Sequence, residues 1–144
     1  MTPLFVYRRR GIELHDGAFK LEDLADYYFL TRDASLIREL RPLWQREVDL
    51  LLGSRQPDGL LPRERYCSDI ETPVLSLNTN ANAWRGLRDM AIVLEELGEK
   101  DEAAKLAGIA AEYRQRILPA MEKSIFRDVD PPFVPVDGRG GDAA

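Results

Sequence analysis

Four stretches of this chain set apolar residues at helical spacing, and two of them repeat each other in register. Ile37, Leu40, Trp44 and Val48 correspond to Leu106, Ile109, Tyr113 and Ile117 at a constant offset of 69 positions. An internal period of this kind is the signature of stacked helical units, each needing neighbours to cover its apolar face. The fold class that follows is all-α, built from antiparallel helical hairpins.

The first stretch, KLEDLADYYFL (20–30), places Leu21, Leu24, Ala25, Tyr28 and Phe29 on one face, with Glu22, Asp23 and Asp26 between them. Acidic residues sit in its opening turns, where the helix dipole favours them. Residues 1–19 are read as an extended segment leading into it. Thr31-Arg32-Asp33 breaks the pattern, and Asp33 is suited to cap a second helix, ASLIRELRPLWQREVDLLL, with Gly53 as its closing residue. Pro42 lies inside that helix and predicts a kink or a restart. Because the apolar face continues across it, one bent helix is expected. A third helix spans 77–98, with Asn78 or Asn80 as cap and Gly98 as stop, and a fourth runs from about Glu102 to Phe126. The domain reading is therefore two α/α hairpins over 20–126, joined by a loop at 54–76.

That loop carries Pro57, Asp58, Gly59, Pro62 and Pro73, a turn chemistry that denies regular helix. Loops of such length in compact domains are uncommon and often functional. Leu60, Leu61, Tyr66, Ile70 and Val74 give it apolar groups to bury, so it is expected to lie ordered against the helix ends. The tail at 127–144 is rich in proline and glycine and is expected to be poorly ordered.

Composition excludes several function classes. A net charge of -5 disfavours nucleic acid, which requires a basic face, and Arg8-Arg9-Arg10 is too short for a basic arm. No apolar run approaches the roughly 20 residues needed to cross a bilayer, so no membrane role is expected. The apolar run before the arginines has the wrong order for a secretory signal. Localisation stays open, cytoplasmic if Met1 is the true start. One cysteine, Cys67, leaves no disulfide and no thiol pair for zinc, and it reads as an incidental free thiol. There is no P-loop, GxGxxG or HExxH, so neither a metal nor another cofactor is expected.

What remains for chemistry is carboxylates at the helix connections. His15-Asp16-Gly17 precedes the first predicted helix, and the loop contributes Asp58, Glu64, Asp69 and Glu71. Two carboxyl groups in different environments can divide acid and base work on a glycosidic bond. With 25 Asp and Glu in the chain, loop carboxylates are expected anyway, and any single one reads first as a solvated loop acid. Trp84, just after the polar Asn78-Thr79-Asn80, is either a stacking platform for a sugar ring or a core residue. The lone histidine, His15, has no nucleophile pattern near it to suggest a triad.

These residues, taken together, resemble a known group. HDGAFKLEDLADYYFLTRDASLIRELRPLWQREVDLLLGSRQPDGLLP, followed by NTNANAWRGLRDMAIVLEELGEKDEAAKLAGIAAEYRQRIL, is similar to the catalytic region of the six-hairpin glycosidases, the (α/α)6-barrel glycoside hydrolases. The similarity spans about residues 11–135. It rests on Asp16-Gly17, on Tyr27, Tyr28, Thr31 and Asp33, on Pro42, on Asp58 to Pro62 and on the asparagine-led helix ending in Leu97-Gly98. The resemblance implies part of an (α/α) barrel that binds or acts on carbohydrate. Asp69 and Glu71 would be its candidate catalytic acids, and His15, Asp16 and Trp84 its sugar contacts. A closed barrel of that group has six hairpins and this chain offers two. The implied protein is therefore a fragment, inactive alone, whose exposed helix faces invite self-association or a complementing chain. The rival is a non-catalytic tetratricopeptide-like interaction module. LGEKDEAAKLAGIA has that repeat's glycine turn and small residues, and the offset of 69 is close to two repeats of about 34 residues.

Overall fold

The computed structural model describes residues 7–66 and 71–138. Among the described residues five helices follow one another: α1 (Glu13–Thr31), α2 (Ala34–Glu39), α3 (Arg41–Ser54), α4 (Leu77–Glu96) and α5 (Lys100–Ser124). Two short strands, β1 (Glu64–Arg65) and β2 (Pro73–Val74), pair antiparallel within the long connection, Glu64 opposite Val74. Helix accounts for 66% of the residues and strand for 6%, so the protein is all-α, as its periodicity predicts.

The core forms where α1 crosses α4. Ala18, Leu21 and Ala25 of α1 meet Ala83, Leu87, Met90 and Leu94 of α4, all essentially sealed from solvent. Each large aliphatic side chain so buried contributes roughly 1.5–3 kcal/mol. Helix α3 packs on α1, and α5 packs along α4. Arg41 pairs with Glu99 and Glu102, and Arg55 with Glu112, so that α3 is also tied to α5. The repeated residues serve this core: Ile37, Leu40, Trp44 and Val48 are buried, as are Leu106, Tyr113 and Ile117, while Ile109 is half-buried. Both aromatic members are anchored by hydrogen bonds. Trp44 Nε1 donates to Ile37 O at 2.9 Å, and the Tyr113 hydroxyl donates to Asn80 Oδ1 at 2.6 Å.

Several boundaries differ from those the sequence suggests. The first helix begins at Glu13, so residues 13–19 are helical and His15-Asp16-Gly17 is not a turn before it. Gly17 is there for proximity: a Cβ at that position would lie 2.9 Å from Glu47 Oε2 of α3. The second predicted helix is two. Helix α2 ends at Glu39 and α3 restarts at Arg41, with Pro42 in its first turn, where a missing N–H breaks no bond. Gly53 lies within the last turn of α3, which closes at Arg55. Asp33 does cap α2, its Oδ1 accepting from Ser35 N at 2.9 Å. The cap of α4 is Ser76, whose hydroxyl accepts from Thr79 N at 2.9 Å, and not Asn78 or Asn80.

The described parts of the connection, 54–66 and 71–76, fold onto the helix ends. Leu60, Leu61 and Val74 are buried, Tyr66 is half-buried, and Leu61 N donates to Asn80 Oδ1 at 2.9 Å. Ile70 lies outside the described residues. The tail also departs from expectation over 127–138. Phe126 and Phe133 pair through their backbones and stack at 5.4 Å, Asp137 accepts from Leu75 N and pairs with Arg63, and Gly138 N donates to Leu75 O. Composition alone could not show these long-range partners. Residues 139–144 lie outside the description.

Candidate functional site

The first turn of α1 is where polar chemistry gathers. A helix start leaves its first N–H groups without intrahelical acceptors, and local caps are usually Ser, Thr, Asp or Asn. Here the capping position is Ile12, which has no side-chain acceptor to give. The acceptor comes from the long connection. Glu64 Oε1 accepts from His15 N at 2.8 Å and Glu64 Oε2 from Leu14 N at 3.2 Å, across about fifty residues of chain. Burial pushes the Glu64 carboxyl up to about 7; the two N–H bonds pull it down, and Glu13 and Asp16 nearby push it further up.

His15 stands on the same turn. Its Nδ1 lies 3.3 Å from Thr79 Oγ1 in the opening turn of α4, and its ring is 4.7 Å from Phe19 and 6.3 Å from Tyr66. Burial holds its pKa below the ordinary histidine value; Asp16 works against that shift, and Arg9 adds to it. Asp16 is buried and accepts from both the side chain of Arg9, at 2.7 Å, and its backbone N, at 3.0 Å. Its carboxylate is thereby fixed in orientation at the mouth of a groove.

The groove runs along α1 with a volume of about 830 Å³, a size suited to a small-molecule ligand. Tyr7, Phe19 and Tyr27 supply its aromatic surface, and Arg9, His15, Asp16, Lys20, Asp23 and Asp26 its polar and charged points. The Tyr27 hydroxyl donates to Asp33 Oδ2 at 2.9 Å, which holds that ring in place. Burial raises the Asp23 carboxyl above the usual range, and the neighbouring Asp26 adds to the shift.

The residues singled out from sequence are not all brought together. His15 and Asp16 adjoin within this groove. Trp84 faces elsewhere: it is half-buried under the Arg88 guanidinium at 4.7 Å and lines a second groove, of about 670 Å³, between α4 and α5. Glu71 is exposed ahead of β2 and does not line the α1 groove. Asp69 and Cys67 lie outside the described residues. Asp58 accepts from Leu60 N at 3.0 Å, a turn within the loop. No family model, curated protein or solved structure matches this chain. Function therefore has to be argued from the site itself. Among the described residues no group of three His, Cys, Asp or Glu could hold a metal ion, and no helix is long and apolar enough to cross a membrane.

Glu64 and Phe19 are what sequence reasoning passed over. Glu64 stood among the loop acids with nothing to distinguish it. The available signal was negative: Arg10-Gly11-Ile12 offers no local cap for a helix that begins with an acidic turn.

Proposed function

We propose that the two hairpins form part of an (α/α) barrel of the six-hairpin glycosidase type, and that the groove beside the first turn of α1 binds carbohydrate. The observation that supports this reading is the groove's lining. Aromatic groups from Tyr7, Phe19 and Tyr27 share the lining with the polar groups of His15, Asp16 and Asp23. Aromatic rings offer apolar area to the C–H faces of a sugar, and the carboxylates accept hydrogen bonds from its hydroxyls. His15 and Asp16 are the sugar contacts in this reading. Phe19 takes the stacking role that the sequence offered to Trp84. Asp69 and Glu71 stay candidate acids for a complete barrel, in which loops from other hairpins supply the second carboxylate.

The test is a titration of the isotopically labelled chain with a panel of neutral and acidic oligosaccharides. Saturable shifts at His15, Asp16 and Phe19, lost in the double variant H15A/F19A, are expected. Shifts confined to the neighbourhood of Trp84, or none across the panel, would remove the reading.

The tetratricopeptide-like alternative has its own support in the second groove. Its floor is small and apolar, with Ala91, Ala103, Ala107 and Ala111 under a partly exposed Ile92, a shape that admits the close approach of a helix. A partner helix or a second copy of the chain would bind there. Light scattering of the wild-type chain and of Ile92→Glu tests whether a second copy docks there: self-association lost in the variant is expected, and a mass unaffected by that position removes self-docking at this groove.

A further inference from the structure

We infer that the stretch of the α1 groove between Phe19 and Tyr27 takes the protonated amine of its ligand, with Asp23 as the counter-charge and the two aromatic side chains flanking it. The inference rests on the carbohydrate reading of this groove and narrows it to amino sugars. Its ground is where α1 places three residues. Phe19, Asp23 and Tyr27 follow one another at helical i, i+4 spacing, so they share one side of the helix, and all three line the groove. A carboxylate with an aromatic residue one turn away on either side offers an ammonium group an ion pair together with π systems that attract cations within about 6 Å.

The other charges along the groove are already matched within the chain. Arg9 is held by Asp16 at 2.7 Å, Lys20 lies 3.5 Å from Glu47 and also donates to Tyr7 O, and Asp26 accepts from Arg85 at 3.0 Å. Asp23 differs: it is exposed, and among the described residues no hydrogen bond or ion pair holds its carboxylate. Arg85 is the cation whose charge reaches it, and that guanidinium is shared by Glu22, Asp26 and Asp89. Partial burial first, and Asp26 second, hold the Asp23 carboxyl above the ordinary range, a shift that a cation beside it would reverse. These pairings decide between ligand charges. An anionic ligand would meet Asp23 and Asp26 while Arg9 and Lys20 are engaged elsewhere, and a neutral sugar would draw Asp23 out of water without a counter-charge, which costs free energy. A protonated amine supplies that counter-charge.

Titration of the isotopically labelled chain at pH 6, followed at Phe19, Asp23 and Tyr27, compares three probes: a β-1,4-linked glucosamine tetrasaccharide, its fully N-acetylated counterpart, and n-butylammonium, which carries the amine without the sugar. The glucosamine oligomer should bind on the order of tenfold more tightly than the acetylated one. Asp23→Asn, a change at an exposed position that keeps the side chain's shape, should bring the two affinities together. Glu95→Gln, which removes an exposed acid from the α4–α5 groove, should leave the preference intact. Equal affinities for the two oligomers, a preference that survives Asp23→Asn, or one lost equally in Glu95→Gln overturns the inference and leaves the carbohydrate reading standing. Saturable shifts with n-butylammonium that Asp23→Asn abolishes, without a response to either oligomer, would keep the amine site and remove the carbohydrate reading. No binding of any of the three removes both.

Discussion

Glu22 shows how one side chain carries the tension between packing and charge. It lies on α1 where α4 crosses, 4% exposed, and its Oε1 accepts no hydrogen bond from any described residue; Arg85 Nε stands 3.9 Å away. Burial raises its carboxyl to about 6; Arg85 opposes the shift, and Asp26, Asp23 and Asp89 reinforce it. With a folded value above the unfolded 4.5, its contribution to stability is complete below pH 4.5 and lost as pH rises through about 6. Glu22→Gln keeps the shape and removes the charge. Its melting temperature relative to wild type should thus rise between pH 4.5 and about 6 and level off by pH 7, as scanning calorimetry can record. A difference that stays flat across that interval would show that the carboxyl is solvated and not held by burial.

At the level of elements, helix ends explain more of the topology than helix interiors do. Helix α4 stops because Gly98 adopts φ +84, the left-handed conformation that lets Glu99 N reach Leu94 O at 2.9 Å and turns the chain into α5. A Cβ at Gly98 would meet nothing within 4 Å. Gly98→Ala therefore isolates the backbone term and should cost about 1 kcal/mol in urea unfolding, with no change in the slope of the transition. A larger loss would mean that the turn itself, and with it the α4–α5 pairing, had rearranged. The restart at Pro42 follows the same logic from the other side: a first-turn proline is tolerated because no intrahelical N–H bond is due there.

For the whole molecule, the uncovered faces define what the chain can do. Leu30 is 86% exposed at the end of α1, Phe133 and Val136 stand half-open beyond α5, and Ile92 sits over the α4–α5 groove. Apolar groups left open in this way are candidate contact surfaces, and on the barrel reading proposed above further hairpins would cover them. Glycoside hydrolysis needs two carboxyl groups held about 5–5.5 Å apart for retention or about 6.5–9.5 Å apart for inversion. On the barrel reading proposed above, two hairpins would enclose only one wall of such a cavity. The purified chain is therefore expected to leave a panel of aryl glycosides unhydrolysed above the buffer rate. Turnover by a strict monomer, abolished in the double variant D69A/E71A, would show that the two hairpins hold a complete catalytic pair.

The sequence by itself determined the elements that depend on near neighbours. The 3.6-residue spacing of apolar groups set the helices and their buried faces, Asp33 and Gly98 marked two of the ends, and the offset of 69 matched Trp44 to Tyr113 as core aromatics. It also placed His15 and Asp16 together, since adjacency is local. What only the tertiary structure decided are the partners far away in the chain. The start of α1 is set by Glu64 from across the connection, Gly17 is required by the approach of Glu47 from α3, and residues 127–138 are held by contacts to Leu75 and Arg63. Trp84 was separated from His15 for the same reason. Trp84 falls on a predicted helix and His15 on the segment read as extended, but which groove each side chain enters depends on how α1, α4 and α5 pack, and that packing is a property of the assembled core.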